Sequence, residues 1–213
     1  MGKSVMLCGA TGLVGRALLN ELLDDDAFAE VVALVRRPLG HDAPHGRLRE
    51  RVVNFDMLEA HADLFRVQQI FWALGSTIKR AGSQERFRAI DYGYAEKVAR
   101  LGRAAGAQHF LMVSALGADA NSRVFYNRVK GEVEDMVKSL GYRAVTIVRP
   151  SFLLGPRAEL RLGEAIAKSL FMIAPLRYRA VDGRDVARCL VNAAKRDAPG
   201  VAVIEAAQIP RGL

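Results

Sequence analysis

The stretch "GATGLVG", residues 9–15, carries glycines at three-residue intervals, at Gly9, Gly12 and Gly15. The residues "SVMLCGA" leading into it form a short apolar run that predicts a buried strand. After it, apolar residues recur at helical spacing until "DDD" closes the segment. The three glycines therefore lie at a turn from a strand into a helix, where the chain bends tightly and the helix packs closely against the strand.

Such a turn suits a dinucleotide, because glycine lets a pyrophosphate approach the backbone and the new helix offers free N–H groups at its positive end. Thr11 adds a hydroxyl donor. The alternative is a glycine-rich turn without a ligand, and the position at the first strand–helix junction favours binding. We expect the phosphates to be contacted by five residues of the turn: Gly9, Thr11, Gly12, Leu13 and Gly15.

Strands and helices alternate along the chain. Apolar runs predict strands at 4–10, 30–37, 51–58, 69–76, 109–117, 143–155 and 200–206, and helical periodicity predicts helices from 13 onward and at 85–106, 124–140, 158–172 and 183–196. Strands that are continuously apolar are buried on both faces. We therefore predict an α/β fold, a doubly wound, mainly parallel sheet with helices on both faces. No linker divides the 213 residues, so we expect a single domain over 1–213 with a small substrate region at about 151–183.

The composition is that of an ordinary globular protein, with 51% hydrophobic and 25% charged residues. A net charge of +8 could serve nucleic acid, an anionic membrane or an anionic small molecule. The basic residues are dispersed, however, and the densest clusters, "VRRP" and "GRLRER", contain no interleaved aromatic residues. The pattern therefore does not favour direct binding of nucleic acid.

The sequence does not indicate a membrane-spanning or exported protein, a disulfide-linked protein or a metal-binding protein. No apolar run approaches the roughly 20 residues needed to span a bilayer, and the first residues do not resemble a signal peptide. Cys8 and Cys189 are far apart, so we expect two reduced core thiols. The four histidines show no paired helical spacing, and we predict no metal site. Cytoplasmic residence is the expectation.

The end of the second strand bears on the choice of dinucleotide. Arg36 and Arg37 lie about twenty residues beyond the glycine turn, where an acidic residue would bind the ribose 2′-hydroxyl of NAD and an arginine suits the 2′-phosphate of NADP. We therefore predict NADPH in preference to NAD. Asp56 could bind the adenine amino group or cap the following turn, and we expect the backbone at Leu74 and Gly75 to pass close to the cofactor.

Ser114, Tyr126 and Lys130 form a candidate catalytic set. Ser114 follows the fifth apolar run, and Tyr126 and Lys130 lie one turn apart on the same face of the 124–140 helix. Reduction of a carbonyl requires a proton donor, and a lysine ammonium would lower the pKa of a tyrosine from its usual value near 10. We expect Ser114 to hold the substrate oxygen. Two residues at this spacing are often structural, but the glycine turn, Ser114 and the start of this helix all fall at the carboxyl edge of the sheet.

"GATGLVG", Ser114, "YNRVK" and the "RP" that follows the sixth strand resemble the short-chain dehydrogenase/reductase superfamily in its extended or atypical form. The strings "VSALGAD" and "FYNRVKGE" are similar to the Tat-interactive-protein branch and its bacterial relatives. The resemblance implies a Rossmann fold, NADPH binding, a Ser114/Tyr126/Lys130 active site and Pro150 beside the nicotinamide. One departure is Asp91, close to where many members carry a catalytic Asn, which puts a water-mediated relay through that Asn in doubt.

The first functional hypothesis is therefore an NADPH-dependent oxidoreductase that acts on a small carbonyl or hydroxyl compound, as a monomer or homodimer. The alternatives are an NADPH-binding regulatory or redox-sensing protein with a partner surface, and a nicotinamide-dependent epimerase that returns the hydride to its substrate.

Overall fold

The computed structural model describes residues 2–40, 46–154 and 180–210. Seven strands form one sheet in the order β3-β2-β1-β4-β5-β6-β9, and every neighbouring pair is parallel. The strands are β1 (Lys3–Cys8), β2 (Phe28–Val35), β3 (Leu48–Val52), β4 (Gln69–Trp72), β5 (His109–Val113), β6 (Ala144–Arg149) and β9 (Gly200–Glu205). Two short strands, β7 (Leu153–Leu154) and β8 (Val181–Asp182), pair separately in a second sheet.

Helices connect the strands of the main sheet. The α-helices are α1 (Leu13–Asp24), α2 (Ile78–Ala81), α3 (Gln84–Arg88), α4 (Tyr94–Ala104), α5 (Phe125–Ser139) and α6 (Gly183–Arg196), with a 3₁₀ segment at Phe55–Phe65 and a π-helical turn at Ala89–Gly93. The predicted helix at 158–172, and most of the predicted substrate region at 151–183, lie outside the described residues.

The apolar strands serve two separate cores. In β1, Met6 and Cys8 belong to one buried cluster, whereas Val5 and Leu7 belong to the cluster on the other face. Side chains of a strand alternate between its faces, so a strand buried on both sides needs apolar residues at every position. The predicted doubly wound sheet is confirmed, and both cysteines lie in the core.

The glycine turn lies where the order of the sheet reverses, between β1 and β4. Gly9 has a φ of +98°, and a Cβ there would lie 2.5 Å from the carbonyl carbon of Ala73 at the end of β4. A Cβ at Gly15 would lie 1.9 Å from the carbonyl oxygen of Gly9. Only glycine therefore allows α1 to leave β1 so close to β4, and the crevice for a ligand opens at this point.

The predicted helix at 85–106 is one apolar stripe but not one regular helix. Its stripe residues, Ile90, Tyr94, Val98, Leu101 and Ala105, all contact the same core cluster. The α-helical hydrogen bonding is nevertheless interrupted by the turn at Ala89–Gly93. A π-helical turn contains one residue more than an α-helical turn. The residues before it therefore face a different direction from the one they would have in a continuous α-helix.

The third strand is also shorter than predicted, because it ends at Val52 and a 3₁₀ segment begins at Phe55. The apolar residues Phe55, Leu58 and Phe65 are buried by helical rather than extended geometry. In the described ranges no helix is long and apolar enough to cross a bilayer, and no group of three or more His, Cys, Asp or Glu residues is placed to hold a metal ion.

A polar cluster around Asp197 links strands β1, β5 and β6 at the amino edge of the sheet. The Asp197 carboxylate accepts from His109 Nδ1 (2.9 Å) and lies 2.6 Å from Arg143 and 3.3 Å from Lys3, while His109 Nε2 lies 2.9 Å from Thr146 Oγ1. Burial lowers the pKa of His109, although Asp197 opposes this effect. The folded protein therefore favours the neutral imidazole over the protonated one more strongly than the unfolded chain does.

We expect acid to destabilise the fold through His109. Because folding lowers the pKa of His109, the unfolded chain binds a proton more readily than the folded chain does. The contribution of the neutral imidazole to the free energy of unfolding is therefore complete above about pH 6.5 and is lost progressively as the pH falls below that value. Replacing His109 by Gln should flatten the fall in the free energy of unfolding between about pH 7 and pH 5, as measured by urea denaturation. His61→Gln is the control on the half-buried 3₁₀ segment, and an equal slope in wild type and His109→Gln would contradict the assignment.

Candidate active site

The turn that follows β1 presents free backbone donors. Gly12 is the N-cap of α1 in an extended conformation, and no side chain caps the helix. Thr11 and Gly12 are exposed, whereas Leu13 packs against Gly183 at the start of α6. Uncapped N–H groups at a helix N-terminus attract an anion. Together with the space that the missing Cβ atoms leave, these donors fit the pyrophosphate of a dinucleotide.

An open cavity of about 370 Å³ lies at the carboxyl ends of β2 and β3. It is lined by Arg36, Asp56, Arg86 and Tyr94, together with the residues of segment 52–55. Arg37, the other arginine that the sequence suggested, does not line it. The cavity therefore lies where the adenosine end of a dinucleotide is expected in such a sheet.

Asp56 is fixed by its neighbours. Its Oδ1 accepts a hydrogen bond from the Tyr94 hydroxyl (2.9 Å), and its backbone carbonyl accepts one from Lys97 (2.7 Å). Burial, followed by the bond to Asp56, raises the pKa of Tyr94, so its hydroxyl keeps its proton. Asn54, rather than Asp56, caps the following 3₁₀ segment. The second carboxylate oxygen of Asp56 has no partner in the hydrogen bonds of the described residues and remains available to an adenine amino group.

A buried ion pair joins the π-helical turn at Ala89–Gly93 to α5. Lys130 Nζ lies 2.6 Å from Asp91 Oδ1, and both side chains are almost fully buried. Asp91 Oδ2 accepts a hydrogen bond from the backbone N–H of Ser76 (2.9 Å). Burial is the largest single effect and favours the neutral amine, but Asp91, Tyr126 and Glu134 together outweigh it and raise the pKa of Lys130. A Cβ on Gly75 would lie 3.5 Å from both members of the pair, so the pair borders the backbone at the strand end.

Tyr126 lies in the first turn of α5, beside this ion pair. Its ring centroid is 5.9 Å from Lys130 Nζ and 5.5 Å from the ring of Phe87, which is fully buried. The side chain is half-buried. Phe87 thus supports the back of a tyrosine whose other side remains accessible, with a cation one helical turn away.

The side chain of Ser114 points to a feature that the sequence did not predict. Its hydroxyl donates to Glu134 Oε1 (2.5 Å), and Glu134 is completely buried. Arg149 donates to both oxygens of Glu134 (2.9 and 2.6 Å) and also to Glu205 (2.9 Å). A hydroxyl that donates to a carboxylate offers only its lone pairs to other partners.

The one sequence signal for this network is a charged residue inside an apolar stripe. Glu134 lies among Val133, Met136 and Val137, all buried on α5. A carboxylate in such a position needs a buried partner. Because Arg149 belongs to β6, the network joins this helix to the end of that strand, where Pro150 follows. Pro150 is buried, and its carbonyl accepts a hydrogen bond from the backbone N–H of Leu116 (2.9 Å).

The structure thus brings Tyr126, Lys130 and Gly75 together around Asp91, and it links Ser114 to the same helix through Glu134. Arg36 and Asp56 line one cavity at the same carboxyl edge, whereas Arg37 stands apart from it.

Comparison with known proteins identifies the family of the chain. Residues 9–197 match a family model described as NAD(P)H-binding. The chain is 37% identical over 175 residues to "Protein HTATIP2" of Rattus norvegicus, covering 81% of this chain and 72% of that protein. It is 32% identical over 221 residues to "Protein FMP52-1, mitochondrial" of Scheffersomyces stipitis, covering 97% and 96% of the two chains. Because that relative is named mitochondrial, cytoplasmic residence stays a prediction for the present chain.

Solved structures share the fold. A short-chain dehydrogenase/reductase superfamily protein from Agrobacterium tumefaciens with bound NAD superposes with a TM-score of 0.73 at 15% identity, over 95% of this chain and 77% of that one. MoeE5 in complex with UDP-glucose and NAD gives a TM-score of 0.72 at 18% identity, over 94% and 74%. These low identities establish the architecture alone.

Replacing Glu134 by Gln should lower the free energy of unfolding by about 2 kcal/mol, because Arg149 and Ser114 lose a charged partner in a buried site. Glu205→Gln removes the other, half-exposed partner of Arg149 and should cost less than about 1 kcal/mol. Urea denaturation of the two variants measures the difference. Equal losses would mean that burial of Glu134 contributes nothing.

Proposed function

We propose that this chain, which belongs to the NAD(P)H-binding family within the short-chain dehydrogenase/reductase superfamily, is an oxidoreductase that transfers hydride between NADPH and a small carbonyl or hydroxyl compound. The observation that carries the proposal is the position of Tyr126 beside the buried Lys130, next to the segment after β4 that contains Gly75. A structural tyrosine would not need a buried cation one turn away at the ligand-binding edge of the sheet.

The cofactor, when bound, would supply the hydride as NADPH or accept it as NADP⁺. In the direction of reduction, the Tyr126 hydroxyl would give its proton to the carbonyl oxygen of the substrate, and in the direction of oxidation the Tyr126 phenolate would take the proton of the substrate hydroxyl. The Lys130 ammonium stabilises the phenolate that forms when the proton leaves. We propose that Lys130 also donates to the nicotinamide ribose.

Ser114 has a narrower role in this proposal than the sequence suggested. With its own proton directed to Glu134, the Ser114 oxygen can accept a hydrogen bond from a substrate hydroxyl, and that hydroxyl must turn its one proton to the Tyr126 phenolate before oxidation. Donation to a carbonyl oxygen would require the Ser114 hydroxyl to rotate away from Glu134. The bond to Glu134 therefore favours binding of the hydroxyl form of the substrate.

For the cofactor, we propose NADPH rather than NADH, because Arg36 follows β2 and lines the cavity of the adenosine end. The phosphates would lie on the glycine turn. The remaining proposed contacts are Asp56, Leu74, Gly75, Lys130 and Pro150, whereas Arg37 lies outside the lining of the adenosine cavity. We propose that residues 1–213 form one domain in which the region of about 151–183 selects a small-molecule substrate.

Replacing Tyr126 by Phe should reduce turnover at least about a hundredfold, because it removes the proton donor while keeping the ring against Phe87. Affinity for NADPH should change less than about threefold, since the hydroxyl is not needed to bind the cofactor. The assay follows nicotinamide absorbance with a panel of ketones, aldehydes and secondary alcohols. Tyr142→Phe is the control, because Tyr142 is buried and donates to the carbonyl of Ala99 (2.6 Å) away from Tyr126.

Unchanged turnover in Tyr126→Phe would rule out its role. If instead wild type turns over no member of the panel, yet shows NADPH-dependent partner binding that survives the Tyr126 substitution, the regulatory function would be favoured. A tightly retained nicotinamide that is not consumed would favour the epimerase.

Replacing Asp91 by Asn should make turnover fall at a lower pH on the alkaline side. In wild type Asp91 raises the pKa of Lys130, so the ammonium persists through the whole neutral range. Without that charge, burial is opposed only by Tyr126 and Glu134, so the pKa of Lys130 is lower than in wild type and the ammonium is lost at a lower pH. Turnover measured from about pH 7 to pH 10 tests this, with the exposed Asp135→Asn on α5 as the control. A profile identical to that of wild type would contradict it.

A further inference from the structure

We propose that Arg86, on α3, acts with Arg36 as the second arginine that binds the adenosine 2′-phosphate and so selects NADPH. This inference rests on the proposed function, because it assumes that NADPH is the cofactor. It concerns a residue that the position after β2 does not identify, since Arg86 lies fifty residues further along the chain.

Both arginines line the same cavity, although they come from separate parts of the fold. Arg36 comes directly after β2, whereas α3 carries Arg86 from the connection that follows β4. Asp56 and Tyr94 lie in the same lining. Both guanidinium groups act on the Tyr94 hydroxyl, where each favours the ionised form and lowers the pKa against the larger effect of burial. Both positive charges therefore act on the same part of the cavity, at the Tyr94 hydroxyl.

The charges of the cavity favour an anion. Among the hydrogen bonds and ion pairs of the described residues, neither Arg36 nor the Arg86 side chain has a partner. By contrast, Arg88 pairs with Glu132 and Arg100 with Glu96. Asp56 is the one carboxylate in the described lining, and its charge would repel a phosphate. One arginine would only balance Asp56, whereas two leave the cavity with a net positive charge.

Arg37 gives a built-in comparison. It is adjacent to Arg36 and equally exposed, but it does not line the cavity. If positive charge near β2 were enough to hold a 2′-phosphate, Arg37 and Arg86 would contribute alike. If the shape of the cavity decides, Arg86 contributes and Arg37 does not.

An arginine beside an adenosine site has one other use, which is to stack on the adenine ring. Stacking would serve NADP⁺ and NAD⁺ equally, because the two share the same base. A contact with the 2′-phosphate would serve NADP⁺ alone. The ratio of the two affinities therefore separates the two roles.

The experiment is calorimetric titration of NADP⁺, NAD⁺, 2′,5′-ADP and 5′-AMP into wild type, Arg36→Met, Arg37→Met and Arg86→Met. Methionine keeps a long apolar stem without the charge. We expect Arg86→Met to weaken NADP⁺ and 2′,5′-ADP by about tenfold or more, as for loss of a charge-assisted hydrogen bond, and to change NAD⁺ and 5′-AMP by less than about threefold. Arg37→Met should bind all four ligands like wild type. Arg86→Lys should recover part of the loss.

Two results would overturn the inference while wild type still prefers NADP⁺: equal weakening of all four ligands by Arg86→Met, which indicates stacking, or no weakening of any. A wild type that prefers NAD⁺ would instead overturn the NADPH assignment itself. Equal melting temperatures of the variants without ligand show that each substitution leaves the fold intact.

Discussion

The contact that the whole arrangement depends on is the close approach of α1 to the end of β1. A Cβ at Gly15 would overlap the carbonyl oxygen of Gly9, and one at Gly9 would overlap the backbone that follows β4. Any side chain at these positions would push the first helix away from the sheet or β4 away from β1. The same missing atoms create the space over the uncapped N-terminus of α1, so one steric requirement produces both the central packing and the phosphate cradle.

Two buried carboxylates then fix α5 against that sheet. Lys130 of α5 pairs with Asp91 in the π-helical turn that precedes α4, and Glu134 of α5 pairs with Arg149 of β6. A buried charge without a partner is strongly destabilising, so both ion pairs must form. Together they fix the position of α5 along the direction of the strands. Tyr126 occupies the first turn of this helix, and its position is therefore set by contacts made four and eight residues further along.

The sequence was sufficient for features that repeat or that only glycine allows. Alternation of apolar runs gave the sheet and its two covered faces, and the glycine spacing gave the turn. The site was harder, because the roles of its polar residues depend on partners distant in the chain. Ser114 was identifiable as a strand-end hydroxyl, but the direction of its proton follows from Glu134, twenty residues away. The interrupted helix at Ala89–Gly93 was invisible to periodicity, since the apolar stripe continues through it. Arg86 sits in an exposed, short helix, and only the folded chain brings it to the cavity of Arg36.

Asp91 has two opposing effects on the proposed chemistry. Its charge keeps Lys130 protonated in a site where burial would otherwise favour the neutral amine. The same charge partly cancels the field of Lys130 at Tyr126, because the two opposite charges are only 2.6 Å apart and act at a distance as a dipole. A neutral Asn would leave the full field of the cation but would not secure its proton. The carboxylate therefore weakens the stabilisation of the phenolate by Lys130 but keeps the lysine charged. That exchange favours a site in which Lys130 must also donate hydrogen bonds to a ribose, since an ammonium donates three and a neutral amine fewer.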